Sequence, residues 1–287
     1  MKAHQRIIRD QKAKEKPLLL FSDKPSVIDI KTAFVKSVSF ETAKKIILEY
    51  EWLGTMGTTQ HHFGIYFDGH CAGVVCFGYF QAMNTNSGGH PYAPYIGEKY
   101  SKCGIQLSRG ACVHWAHPHS ASKLISGSLQ HIKQKGYKYS IAFSDPMAGE
   151  IGTVYQATNW HYLGFGKTIH YDIYYRGGQL YMNDRDFYKK YKFCGKNKTE
   201  NWLNDKPDLY LKKRDPKGRY IKLLGNKKEN KEMMKHLKDK IVPYPKRIAV
   251  QDSRENRPDT IGESLGQYQS TAQYLNDKNN IRMRQNA

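Results

Sequence analysis

The order in which periodic segments follow one another constrains this chain most. Residues 31–39 read as a strand. Ser39-Phe-Glu-Thr then offers helix-capping chemistry ahead of Ala43, Ile46, Ile47 and Tyr50. Residues 62–67 and 71–80 alternate as strands around Asp68-Gly69, a strong hairpin turn. Residues 81–102, rich in Asn, Gly, Pro and Tyr, read as a surface excursion. A strand over 103–113 precedes an amphipathic helix over 120–135, where Ile125, Leu129 and Ile132 share a stripe and Gly136 is the stop. Residues 139–143 form a short buried strand. A short helix around Tyr155 follows, and 161–175 reads as a hairpin-like close. Strand, helix, hairpin, strand, helix, strand, helix, strand, strand predicts an α/β (α+β) fold with a mixed central sheet and helices on both faces.

The segment after the last buried strand is the richest in chemistry. It reads Phe143-Ser-Asp-Pro-Met-Ala-Gly-Glu-Ile-Gly-Thr-Val-Tyr-Gln-Ala-Thr-Asn-Trp-His-Tyr-Leu-Gly164. Helical spacing brings Tyr155, Thr158 and Asn159 near one face. Asp145, at a strand C-terminus, can accept a proton, orient an amine, ligate a metal or simply cap the turn beside Pro146. Tyr155 suits a general acid, a stacking surface or core packing. The amide of Asn159 offers the donor and acceptor that an adenine edge needs. Trp160 is expected to pack.

Ahead of the 120–135 helix the chain places Arg109 as a fixed charge or carboxylate partner. Ser120 and Ser122 stand at the helix start, as N-caps or hydroxyl contacts to an anion. His114, His117 and His119 cluster there, as loop residues or metal ligands. The five cysteines, an odd number without C-x-x-C spacing, read as core thiols.

Charge adds a partner. The net charge of +20 favours a polyanion, with nucleic acid the partner expected and a solvated basic surface the alternative. From 189 to 247 there are 20 Lys and Arg against 7 Asp and Glu, a net of +13, interleaved with aromatics. Residues 208–224 read as a basic hairpin whose Lys212, Lys213, Arg214, Lys217 and Arg219 track phosphates or are merely solvated. A basic helix over 227–241 is stopped by Pro243-Tyr-Pro245. The expected division is a flexible basic arm (1–26), a catalytic domain (27–185), a basic aromatic DNA-binding extension (186–250) and a disordered tail (251–287). No apolar run approaches the ~20 residues of a membrane helix. The N-terminus lacks the apolar core of a signal peptide, so an intracellular, cytoplasmic location is expected.

The segment from Ser144-Asp145 through Tyr155 and Asn159-Trp160 to Tyr162-Leu-Gly resembles the signature of the Mom family of bacteriophage DNA-adenine modification proteins. Leu53-Gly-Thr-Met56, the strands around Tyr66 and Gly73–Gly78, Leu107-Ser-Arg109, Ser120-Ala-Ser122, Arg219-Tyr220 and Pro243-Tyr-Pro-Lys246 agree. The resemblance spans about 31–247. It implies a GNAT-like acyltransferase fold and transfer of a carbamoylmethyl (acetamido) group to N6 of adenine in double-stranded DNA, an anti-restriction modification. It assigns Arg109, Ser122, Asp145 and Tyr155 to the active site and lets Tyr66 line it. Acetyl-coenzyme A or a related acyl donor, and iron, are the implied cofactors. The family's His-Tyr iron pair is replaced here by Glu51-Trp52, leaving Glu51 as the candidate oxygen ligand. Two other readings stand beside this one. One is a conventional GNAT N-acetyltransferase acting on a protein or small amine, against which the missing glycines before the 120–135 helix argue. The other is a non-catalytic DNA-binding protein.

Overall fold

Local signals on the sequence explain where the elements of the computed structural model begin and end. It describes residues 3–15, 25, 27–80, 90–166, 170–193 and 195–246. In chain order these carry α1 (His4–Glu15), β1 (Phe34–Ser37), α2 (Phe40–Tyr50), β2 (His61–Phe67) and β3 (His70–Gly78). Then come α3 (Ala93–Ile96), α4 (Glu98–Ser101), β4 (Gly104–Cys112), α5 (Ser120–Gln134), β5 (Tyr139–Ser144), α6 (Thr153–Ala157) and β6 (His161–Phe165). The chain continues through β7 (Tyr171–Tyr175), β8 (Leu180–Met182), α7 (Asp184–Tyr191), α8 (Lys196–Leu203) and β9 (Leu209–Lys213), and ends in β10 (Gly218–Leu223) and α9 (Lys227–Leu237). Ser39 caps α2 by accepting from Thr42 N, as the sequence predicts. Asn226 and Glu229 form a capping box at α9.

The chain divides into two units, Met1–Phe165 with Lys217–Lys246, and Gly166–Pro216 with Arg247–Ala287. The first holds a seven-stranded sheet in the order β1-β2-β3-β4-β5-β10-β6. Every pairing is antiparallel except β4 with β5. A parallel pair needs a long crossover, and α5 supplies it. Consecutive residues of β2 show that both faces are covered. Phe63 stacks on His131 of α5 with ring centres 5.3 Å apart, while His62 meets Phe40 of α2 at 5.6 Å. This is the mixed, helix-flanked sheet that the element order predicts.

The parallel pairing is brief: Gly104–Gln106 lie beside Tyr139–Ile141. Beyond it β4 runs to Cys112 and β5 to Ser144 without pairing each other. The cause is a bulge. Cys76 faces Arg109 and Phe77 faces Leu107 on the β3 side, so Ser108 is an extra residue that bends β4. The sheet therefore opens at the end where β5 gives out.

Four expectations need correction. Within the expected flexible arm, His4–Glu15 is a helix, while residues 1–2, 16–24 and 26 lie outside the described residues. Gln5 donates to Gly110 O and Arg9 to Val113 O and Ala116 O, while Ile8 is buried, so α1 is pinned along the outgoing end of β4. Residues 208–224 are not a hairpin: β9 pairs with β7, and β10 inserts between β5 and β6. Residues 161–175 are likewise not one: β6 joins the seven-stranded sheet and β7 a three-stranded sheet ordered β8-β7-β9. The burial of Tyr220 and Ile221 in the first unit's core decides the matter, because a local hairpin would leave both half-exposed. The basic stretch 186–250 is accordingly shared between the two units. The expected tail, 251–287, lies outside the described residues.

The second unit is built on the three-stranded sheet. Phe187, Tyr191, Phe193 and Trp202 pack edge and face with ring centres 4.8–6.3 Å apart. Among the described residues no helix is long and apolar enough to cross a membrane.

Candidate active site

At the open end of the sheet β5 stops at Asp145, because Pro146 cannot continue a ladder. Asp145 caps a tight 3-10 turn, its Oδ1 accepting from Met147 N at 3.1 Å. Gly149, at φ 70°, turns the chain back, and Glu150 N donates to Asp145 O at 3.0 Å. The Glu150 carboxylate thereby returns to the strand end, where its Oε2 accepts from Asp145 N at 3.4 Å. Gly152, also at φ 70°, lets the backbone lie on Tyr220, since a Cβ there would sit 2.5 Å from that ring. Tyr220 Oη fixes the turn by donating to Ile151 O at 2.6 Å.

The loop delivers Tyr155 on α6. Its ring packs 5.3 Å from Trp160 and 5.1 Å from Tyr220, both fully buried. Burial, then the negative charge of Glu150 and the groups at Tyr220 and Glu51, drive its phenol far above the ordinary range. Tyr155 is therefore a neutral hydroxyl donor at any working pH. Glu150 is pushed up to about 7. Burial is the main cause; the hydrogen bond from Asp145 N opposes it, the charges of Asp145 and Glu51 add to it, and Lys217 opposes it. Lys217 Nζ lies 3.5 Å from Asp145 Oδ2.

Arg109 straps the loop after α2 to the β4 bulge. Its Nε donates to Thr55 O and its Nη1 to Ser108 O, each at 2.6 Å. Opposite it, Cys76 is pushed up to about 12, chiefly by burial. Glu51 ends α2 with its Oε2 accepting from Leu53 N at 2.9 Å and Gly54 N at 3.1 Å. Its charge still reaches Cys76, Glu150 and Tyr155. The residues do not fit an iron site: the Glu51 oxygen is spent on backbone N–H groups, and among the described residues no group of three or more His, Cys, Asp and Glu is placed to hold a metal.

The start of α5 differs in detail from expectation. His119 is the N-cap residue and makes no side-chain cap, so neither serine caps the helix. Ser122 Oγ donates to His119 O at 3.1 Å, and Ser120 Oγ is buried without a partner among the described residues. His114 Nδ1 lies 2.8 Å from Tyr50 Oη, and the His117 and His119 rings lie 5.4 Å apart.

The other candidates lie elsewhere. Tyr66 stacks on Phe34 at 5.6 Å at the β1 edge, with Lys36 Nζ 4.3 Å from its ring centre. Asn159 takes φ 57° in the turn between α6 and β6, its carbonyl accepting from Lys222 Nζ at 2.9 Å and its side chain exposed. Arg219 is tied to Tyr95 Oη at 2.8 Å and Leu163 O at 2.9 Å. Lys212 and Lys213 belong to β9 of the second unit and Arg214 follows it directly; Arg214 is bound to Asp172 and Asp184, and Lys213 is exposed. The structure thus gathers Glu51, Asp145 and Tyr155, with Arg109 acting on Cys76 alongside. It adds Glu150, which sequence reasoning missed, and Lys217, which that reasoning placed among the phosphate-tracking cations of 208–224. A carboxylate between two turn glycines just past a buried strand was the available signal for Glu150.

A model of the Mom protein family matches residues 32–246. No curated protein is similar enough in sequence to match. Among solved structures, an N-acetyltransferase from Staphylococcus aureus Mu50 is 13% identical, with 67% of this chain and 99% of that one covered and a TM-score of 0.37. An IAA acetyltransferase from Bacillus cereus is 12% identical over 67% and 99%, at 0.37. A GNAT family acetyltransferase from Elizabethkingia anophelis, solved with acetyl-CoA bound, is 9% identical over 67% and 97%, at 0.35. At these TM-scores the likenesses carry no argument about chemistry.

Proposed function

The chain belongs to the Mom protein family, and on that premise we propose that it is a DNA-modifying transferase that places a carbamoylmethyl group on N6 of adenine, shielding phage DNA from restriction. The observation that carries this reading is the meeting of Asp145, Glu150 and Tyr155 at the open end of the sheet. An aromatic amine is a poor nucleophile because its lone pair is delocalised into the ring. It needs a carboxylate to orient it and take its proton as the new bond forms. A neutral phenol beside that carboxylate suits hydrogen bonding to a base or protonation of a departing group.

Adenine N6 is paired inside the duplex, so the base must be turned out of the stack to reach such a pocket. Phosphate contacts position the duplex without reading it, and exposed lysines such as Lys213 suit that work. Arg219 and Arg214 are committed within their own units, so positioning them for the fold is the role their geometry supports. The start of α5, a helix N-terminus with the buried Ser120 hydroxyl beside it, fits the anionic end of a coenzyme A type donor. Transfer of a carbamoylmethyl group would require the bound donor to present a methylene carbon bearing the leaving group, because attack on a thioester carbonyl would leave an acyl group on N6.

The test is mass spectrometry of nucleosides from plasmid DNA in bacteria expressing the chain, beside an Asp145→Ala control. A deoxyadenosine species carrying an acetamido-sized addition, absent in the control, is the expected result. Unmodified nucleosides from well-expressed, folded protein would overturn it. The sheet topology keeps one alternative in view: DNA-independent acetylation of a protein or small amine by acetyl-coenzyme A would favour the conventional acetyltransferase.

A further inference from the structure

Asp145 is the residue that its place at the end of β5 recommends as a base, but its carboxylate is already occupied. Oδ1 accepts from Met147 N at 3.1 Å, and Oδ2 faces Lys217 Nζ at 3.5 Å. Glu150 is placed differently. Its Oε2 takes a single long bond, 3.4 Å, from Asp145 N, and its Oε1 is given no hydrogen bond by the described residues. The side chain is half-buried, so it reaches the opening rather than ending in the core. We propose that the Glu150 carboxylate, and not Asp145, takes the proton from the attacking amine, with Asp145 as the positioning residue that holds the Glu150 loop. This rests on the adenine-modifying reading above and names the base of that reaction.

The groups facing Glu150 come from four places. Asp145 comes from the end of β5, Glu51 from the end of α2, Tyr155 from α6 and Lys217 from the segment leading into β10. Two negative charges against one positive charge, in a partly dry cleft, leave its carboxylate short of compensation. A base held near the working pH balances availability against driving force, and the value of about 7 fits that condition. In the step, N6 forms a bond to the electrophilic carbon of a donor bearing a leaving group. The bond from that carbon to the leaving group breaks and its electron pair departs with the leaving group. The N6–H bond breaks, its electron pair stays on nitrogen, and the proton passes to a Glu150 oxygen and then to solvent. No oxidant or reductant is needed.

The test uses the purified full chain, plasmid DNA and the small-molecule fraction of a bacterial extract as the donor source. Modified deoxyadenosine is measured against pH by mass spectrometry. Wild type is expected to show an acid limb with a midpoint near 7. Glu150→Gln is expected to lose about 100-fold or more in rate, the scale of a general base. Lys217→Ala is expected to move the acid limb to higher pH, because a stabilising positive charge is lost. Glu150→Gln within about threefold of wild type, with the acid limb unmoved, overturns the inference while wild-type modification still stands. If Glu150→Gln does not fold, Glu150→Asp decides: a shifted limb supports the proposal, and a limb unchanged from wild type overturns it. Wild type that modifies no nucleoside overturns the function reading instead.

Discussion

Two groups of buried carboxylates in this protein are handled in opposite ways. In the second unit Asp172 is buried and its two oxygens are held by the Arg214 guanidinium, which also reaches Asp184; Asp184 in turn pairs with His170. Each acid has a cation, and the bidentate geometry fixes β9 beside β7 and the start of α7. In the first unit Glu51, Asp145 and Glu150 gather around Lys217. Two of the three are occupied, Glu51 by Leu53 and Gly54 N–H and Asp145 by Met147 N–H and Lys217; Glu150 is left undercompensated. A fully paired buried charge serves the fold, and an underpaired one at an opening is where proton chemistry becomes possible.

The contrast breaks most sharply at Arg214. Arg214→Ala leaves Asp172 buried without its cation, and a loss of about 3–5 kcal/mol is expected for the second unit in denaturant unfolding. Arg214→Lys, which keeps charge without the fork, should cost visibly less.

Glu150→Gln should do the reverse, losing about 2.7 kcal/mol or more of transition-state stabilisation, the equivalent of 100-fold, while gaining stability. The sign follows from the direction of the shift. Glu150 is raised from an ordinary 4.5 to about 7, so the folded state holds its proton more tightly than the unfolded chain. Wild type therefore loses stability as pH rises between those values, and the glutamine does not. A Tm higher than wild type by a few degrees at pH 8, and equal to it at pH 4, is the expected result of calorimetry.

Gly152→Ala sharpens the geometry. With φ at 70° and a Cβ 2.5 Å from the Tyr220 ring, the turn carrying Glu150 must shift. A destabilisation of about 1–3 kcal/mol is expected, with modification reduced alongside it. The smallest effect belongs to Lys213→Ala. Its side chain is exposed, so stability should hold while the logarithmic salt dependence of DNA binding falls by about one phosphate contact.

Much of the fold was readable because period-two and helical patterns mark elements regardless of partner. The β2–β3 hairpin, α5 and the strand ending at Asp145 all follow from that. Pairing partners were less readable. Leu209-Tyr-Leu and Gly218-Arg-Tyr-Ile alternate as they would in one hairpin, yet they join different sheets, and only tertiary burial separates the cases. The helix at His4–Glu15 escaped notice because its mostly polar sequence buries only His4 and Ile8. At the site, Asp145 and Tyr155 stood out by chemistry and by position after a strand. Asn159 stood out for its amide, which gave no hint that its backbone takes the left-handed turn. Glu150 was hidden because its shift comes chiefly from burial, and because, beyond neighbouring Asp145, the charges acting on it come from Glu51 and Lys217, distant in sequence.

The most direct test sets the two carboxylate groups side by side in cells. Plasmid DNA from bacteria expressing wild type, Glu150→Gln or Arg214→Lys is digested, and the deoxyadenosine fraction is weighed by mass spectrometry. The account predicts an acetamido-sized addition with wild type and Arg214→Lys, and its loss with a folded Glu150→Gln. Modification that survives Glu150→Gln, or is lost in a folded Arg214→Lys, would contradict the division of labour between the paired and the underpaired acids.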